Sequence, residues 1–399
     1  MDLAAVVCPI VCLVAFTAEP ARAVSYVPIS GAGSTWSANA LNQWTADVNQ
    51  FGILINYAPN GSSAGRHQYL QGTTDFAASD IPFQTNPGDG SQRENPTVGT
   101  YAYIPVTAGE TAFVYNLSVN GQRVTNLRLS GQTIAKIFTR VITNWDDPGI
   151  AADNPQVALP NRVIIPVVRS DGSGSTWLLT AWMASQYPSI WNAYCQTSGR
   201  APLCGATSYY PPTTGMVAQS GDLCIAGYTE QAFAQGAIGY VQYSYALNAQ
   251  LPVAKMRNAA GYYTLPTAGN VAVSLLQASV DTADVNNPAL YLTQTLTNVY
   301  TDTDPRAYPL SSYSYVIVPI TVQGQFTAAK GKDVGRIALL RDVPGPARSP
   351  LARIFAGTGE PRAAWLRPDR QDSRRSDPER RHHDLQQPDV LRQWRQRAR

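Results

Sequence analysis

Apolar positions along this chain repeat with two periods, and the places where one period gives way to the other carry the most information. Residues 163–168, Val-Ile-Ile-Pro-Val-Val, form a β-branched run of strand length, and Trp177, Leu178, Ala181 and Trp182 then recur at the spacing of one helix face. Between the two lies Arg169-Ser170-Asp171-Gly172-Ser173-Gly174-Ser175. The pattern predicts a strand, an arginine, a turn of small residues and a helix start. Near the beginning, Trp36, Ala40, Leu41, Trp44, Val48 and Phe51 keep helical spacing behind Gly31-Ala32-Gly33-Ser34-Thr35, with Ser34 or Thr35 placed to cap the helix. A strand over residues 53–57 leads through Gly61-Ser62-Ser63-Ala64-Gly65 into a helix containing Tyr69 and Leu70. A short strand, Asp75-Phe76-Ala77-Ala78-Ser79-Asp80, ends on a carboxylate. Further strands are expected at 112–115 and 315–318, and helices at 134–138, 271–276 and 290–299. Strands alternating with helices make this an α/β chain.

The three junctions share a chemistry. Backbone N–H groups at a helix start are unpaired and the helix dipole is positive there, so the site favours an anion. Glycines let backbone approach a ligand, serines add donors, and an arginine fork matches an oxyanion. One such turn usually only caps its own helix. Three of them, with Arg169 and Asp80 at strand ends, point to an anion site beyond the carboxyl ends of the strands. Asp80 has a second reading, as a cap for Ile81-Pro82. A carboxylate in such a site repels any anion that has no proton to donate.

Composition sharpens this picture at the two ends. Up to residue 340 there are 16 Lys+Arg against 19 Asp+Glu, and from Arg341 onward 14 arginines, no lysine and 8 acidic residues. The overall +3 therefore comes from the tail, and the body has no basic patch for nucleic acid. Residues 6–16 are apolar but too few to span a bilayer, and Ala21-Arg22-Ala23 has the form of a cleavage signature. An exported protein with a signal peptide over 1–23 is expected. Met1-Asp2-Leu3 lacks the usual basic start, which a misassigned start codon would explain; the alternative is a hydrophobic strand of the mature fold. Cys8 and Cys12 do not sit in a good lipobox. Cys195 and Cys204 are candidates for a disulfide in an oxidising compartment, with Cys224 left over. No metal-binding spacing and no cofactor motif is present. His67, the one histidine before the tail, lacks a triad partner, and neither a G-x-S-x-G elbow nor a phosphate-binding G-x-x-x-x-G-K motif occurs. These absences argue against an enzyme.

The four stretches 31–35, 61–65, 75–80 and 169–175, supported by Thr143-Asn144-Trp145-Asp146-Asp147 and Gly236-Ala237-Ile238-Gly239-Tyr240-Val241, resemble the phosphate-binding components of bacterial high-affinity phosphate ABC importers. The aromatic and Asn/Gln-rich segments are similar to the actinobacterial branch. The resemblance runs from about residue 28 to about 333. It implies a two-lobed, type II periplasmic-binding-protein-like α/β fold with the ligand in a cleft between lobes. The implied organisation is lobe I over 24–106, lobe II over 107–253 and the rest of lobe I over 254–335. It also implies a phosphate set of Ser34, Thr35 by its hydroxyl, Trp36 by its backbone N–H, Ser62, Asp80, Arg169, Ser173, Gly174 and Ser175, with Asp171 holding Arg169. The family often has phenylalanine where Trp36 stands and threonine where Ser175 stands. The implied protein is a monomeric, non-catalytic receptor that delivers inorganic phosphate to an ABC permease. It would work in the periplasm, at the cell envelope or outside the cell. Alternatives are a secreted scavenger, a receptor for another oxyanion, or a secreted phosphatase-like enzyme. Past Lys332 the family pattern stops, and residues 336–399 read as an arginine-rich, disordered or frameshifted tail that leaves lobe I incomplete. The other reading is an arginine-rich arm for anionic polymers.

Overall fold

A computed structural model describes residues 26–340, apart from 285, 286 and 288. The expected signal segment and the arginine-rich tail from 341 onward lie outside the described residues. Eight strands form the central sheet. They are β1 (Ile29–Gly33), β2 (Ile55–Ala58), β3 (Phe76–Ser79), β4 (Tyr101–Tyr115), β5 (Ile165–Arg169), β6 (Val217–Gln219), β7 (Ala237–Gln242) and β8 (Ser311–Pro319). Their spatial order is β2-β1-β3-β8-β4-β7-β5-β6. β1 pairs in parallel with β2 and β3, and β5 pairs in parallel with β6 and β7. All four residues of β3 are buried, as expected of a strand covered on both faces.

The sheet is two half-sheets joined through one long strand. β4 pairs with β8 from Tyr101 to Glu110, then with β7 from Thr111 to Tyr115. Each half has its own core. Ile29, Phe76, Ala102, Ile104 and Val318 pack on one face of the first half, and Tyr69, Phe83, Tyr101, Tyr103 and Tyr315 on the other. The second half encloses Trp145, Trp182, Trp191, Phe113, Phe138 and Tyr240, all buried. A fully buried side chain of this size contributes roughly 1.5–3 kcal/mol. Two lobes with separate cores are the outcome.

Several local expectations shift by a few residues for identifiable reasons. Lys255–Arg257 pairs with Arg128–Leu129, and Ala254 and Met256 pack in the second core, so the chain stays with the second lobe beyond Val253. Residues 290–299 are not one helix: Gln294–Thr295 is a short strand and Thr297–Tyr300 a single turn. β-Branched Thr293 and Thr295 favour extended backbone, and the Gln294 amide is drawn to Ser312 and Tyr313. The last helix, Ala328–Leu340, runs on into the first residues of the segment expected as a tail from 336. Among the described residues no helix is long and apolar enough to cross a membrane.

Glu110 sits where β4 changes partners. Its carboxylate accepts the Tyr243 N–H at 3.1 Å, and its carbonyl accepts the Trp36 indole N–H at 3.0 Å. Burial pushes its carboxyl up to about 8, with the Tyr243 N–H acting in the opposite direction. A carboxyl raised on folding favours the fold fully only below its ordinary value of 4.5, and that contribution is lost as pH rises through about 8. Glu110→Gln is therefore expected to match the wild type in acid and to become progressively more stable than it up to pH 8. The difference there is on the order of 4 kcal/mol. Thermal denaturation across this range checks it; a difference independent of pH contradicts it.

Candidate functional site

The carboxyl ends of β1, β3 and β5 converge with three helix starts. α1 (Ala38–Asn49) follows β1, α2 (Ser62–Leu70) follows β2, and α3 (Gly174–Gln186) follows β5. Gly33 closes β1 at φ 136°, a conformation suited to glycine, and a Cβ there would lie 2.0 Å from the Ala78 carbonyl oxygen. The chain can thus turn Ser34 inward toward the end of β3.

Asp80 is the centre of the first-lobe part of the site. It is 2% exposed, and its carboxylate accepts hydroxyls from Ser34 at 2.6 Å, Ser314 at 2.9 Å and Ser62 at 3.1 Å. Burial pushes its pKa above the ordinary range, the hydroxyls of Ser34, Ser314 and Ser62 oppose this, and Asp222 adds to the rise. The cap of α1 was expected from Ser34 or Thr35, and Ser34 comes nearer to it. It accepts the Ser37 N–H at 3.2 Å, one turn ahead of the helix proper, while its hydroxyl proton goes to Asp80.

Arg169 is the centre of the second-lobe part. Its Nε donates to Asp171 at 2.7 Å, Nη2 donates to the other Asp171 oxygen, and Nη1 donates to Asp222 at 2.7 Å. Burial works against the guanidinium charge, but Asp222 and Asp171 outweigh it and hold its pKa above the ordinary value. Burial would raise Asp171, yet its bonds to Arg169 and to the Gly221 N–H bring it below the usual carboxylate range. A charge this well held is a fixed electrostatic feature.

The two parts meet. A Cβ on Gly174 would lie 2.5 Å from an Asp80 carboxylate oxygen, so only glycine allows this approach of α3 to β3. The Thr35 hydroxyl donates to Asp222 across the lobes, and the Ser63 N–H donates to the Gly172 carbonyl at 3.1 Å. Ser173 caps α3 by accepting the Thr176 N–H at 3.2 Å. Ser175, fully buried beside it, has a hydroxyl without a protein partner. A buried hydroxyl of that kind at a helix start fits a site built for an oxyanion. Of the expected residues, Ser34, Thr35, Ser62, Asp80, Arg169, Ser173, Gly174 and Ser175 line this junction, and Asp171 holds the arginine. The Trp36 side chain lies elsewhere, packed against Gly109 and Glu110 at the strand that joins the lobes. Cys195 and Cys204 are free thiols in the structure. Burial, and secondarily Cys204, pushes the Cys195 thiol up to about 12.

Sequence reasoning missed two participants. Ser314 lies in β8 beside Tyr315, which pairs with Ser79 of β3, and its hydroxyl donates to Asp80. Asp222 opens α4 (Gly221–Thr229), directly after β6. Gln219-Ser220-Gly221-Asp222 is a fourth strand–turn–helix junction of small residues, and that pattern was the available signal.

Comparison with known proteins agrees with this architecture. A family model described as a PBP superfamily domain matches residues 17–334, and the chain belongs to that superfamily. Within it, the chain is 32% identical over 304 residues to the phosphate-binding protein PstS of Xylella fastidiosa (strain Temecula1), covering 76% of this chain and 75% of the relative. It is 30% identical over 294 residues to phosphate-binding protein PstS 2 of Mycobacterium tuberculosis, covering 73% of each. The phosphate-binding protein from Stenotrophomonas maltophilia shares the fold, with a TM-score of 0.54 at 20% identity over 85% of this chain and 92% of that one. The phosphate-bound periplasmic protein PfluDING gives 0.56 at 21% identity over 77% and 85%.

Proposed function

We propose that this protein is an exported, non-catalytic receptor that captures inorganic phosphate between its lobes and delivers it, as a monomer, to an ABC permease. The observation that carries the reading is the buried Asp80 carboxylate at the meeting point of three hydroxyl-bearing segments and the start of α3. An acceptor of that kind stabilises an anion that brings a proton and opposes one that does not. Arg169 supplies the positive charge, Ser175 a hydroxyl, and the N-terminus of α3 its backbone donors. The curated relatives, which are named as phosphate-binding proteins, support the same ligand. Binding would close the two lobes about the strand that joins them.

Equilibrium binding of radiolabelled phosphate to the purified chain, in excess unlabelled sulfate, tests the reading. Retained binding, with no turnover of p-nitrophenyl phosphate, is expected. Displacement by sulfate, or hydrolysis of the ester, would overturn it.

A further inference from the structure

We propose that Cys195 and Cys204 are joined by a disulfide in the exported protein, and that this bond braces the loop by which the second lobe grips the first away from the ligand. This rests on the export in the reading above and not on the ligand. Cys195 is fully buried near the end of the helix Pro188–Thr197, and Cys204 is half-buried against the same core. The chain between them folds straight back. The Arg200 and Ala201 N–H groups both donate to the Cys195 carbonyl, at 2.8 and 3.1 Å. The Leu203 N–H donates to the Arg200 carbonyl at 2.9 Å. The Trp191 indole N–H, one helical turn before Cys195, donates to the Cys204 carbonyl at 2.9 Å. These bonds set the Cys204 thiol within hydrogen-bond reach of the Cys195 thiol. Cys224 is exposed on α4.

Half-exposed Cys204 is the thiol that an oxidant reaches, and the oxidant is a disulfide of the exported compartment. The Cys204 thiolate attacks it and releases one thiol. The Cys195 sulfur then gives up its proton, attacks the Cys204 sulfur of the mixed disulfide and releases the second thiol. The oxidant takes up both electrons and both protons. The loop closed in this way carries a second grip between the lobes. Arg200 Nη2 donates to the Asp89 carbonyl at 3.3 Å and lies 3.9 Å from the Asp89 carboxylate. A Cβ on Gly90 would lie 2.6 Å from Leu203 Cδ1, and one on Gly205 would lie 2.8 Å from the Gly88 carbonyl oxygen. Further along the same loop, the Ser208 carbonyl accepts the Ser173 N–H at 2.9 Å, at the cap of α3. Tying Cys204 to the core removes freedom that the loop would otherwise lose on gripping residues 88–90.

The test is a peptide map of protein from the exported fraction, its free thiols blocked with N-ethylmaleimide before digestion. Trypsin cuts after Arg169, Arg200 and Lys255, so the bond joins residues 170–200 to 201–255, with the maleimide on Cys224. The same joined peptide is expected when the reduced, folded chain is treated with glutathione disulfide. Exported protein with Cys195 and Cys204 both blocked overturns the pairing, as does glutathione left on Cys204 without the link. Protein that stays in the cytoplasm with reduced thiols, yet links under glutathione disulfide, overturns the export and supports the pairing. Hydrogen exchange reads the brace. Cys204→Ala removes the bond and leaves the buried Cys195 in place. It should speed exchange over residues 84–95 of the first lobe by about fivefold or more, and leave β2 unchanged. Reduction of the wild type should do the same, and decides alone if the variant fails to fold. Equal exchange over 84–95 with and without the bond overturns the brace.

Discussion

Replacing Arg169 by methionine is expected to abolish measurable phosphate binding and to destabilise the fold by about 3–5 kcal/mol. The side chain is buried, and its loss leaves Asp171 and Asp222 without their shared cation, the second of them fully buried. Removing one partner of a buried ion pair costs more than the pair contributes, because the remaining charge stays out of water uncompensated. Arg169→Lys should recover part of the stability and little of the binding. An ammonium supplies the charge but cannot engage Asp171 through two parallel N–H bonds while donating to Asp222. Urea denaturation and calorimetry on both variants check this. Phosphate affinity within tenfold of wild type in Arg169→Met would exclude the guanidinium as the anion's main contact.

Asp80→Asn carries the second large effect, on selectivity more than on affinity. A charge-assisted bond from a ligand proton contributes on the order of 1.5–3 kcal/mol. The amide weakens that bond, and it also removes the like charge that opposes sulfate. The gap between phosphate and sulfate affinity should therefore narrow by about a hundredfold or more. Ser34 and Ser314 can keep donating to the amide oxygen while the Ser62 hydroxyl turns to accept from the amide N–H, so the site is expected to keep its shape. Competition of sulfate against labelled phosphate measures the change, and an unaltered ratio would remove Asp80 from the selectivity mechanism.

The parts of this molecule that were readable from sequence are those in which local chemistry decides structure. Arg169 at the end of an apolar run and Ser173 to Ser175 at a helix start announce a strand–turn–helix junction by composition alone. Asp80 is marked in the same way, as a carboxylate closing a strand of small apolar residues. What remained hidden depends on contacts far apart in the chain. Asp222 becomes part of the site through Arg169 and Thr35, the second nearly two hundred residues earlier. Ser314 counts only because β8 pairs antiparallel with β3, far away in the chain, and a Ser/Tyr-rich strand gives no hint of which serine that will bring to Asp80. Trp36 is expected at the ligand through its backbone N–H, and where its ring packs, above Gly109 at the join between the lobes, is likewise set by a distant contact. The misread helix at 290–299 has the same origin, since threonines at alternate positions give way to long-range bonds from Gln294.

The most direct measurement is a crystal structure of the purified chain with phosphate bound. One phosphate oxygen should lie about 2.5–2.7 Å from Asp80 as a proton donor, with others in reach of Arg169 and of the Ser175 hydroxyl and the N–H groups that open α3. An anion seated outside this junction, or held by Arg169 with Asp80 turned away from it, would contradict the account.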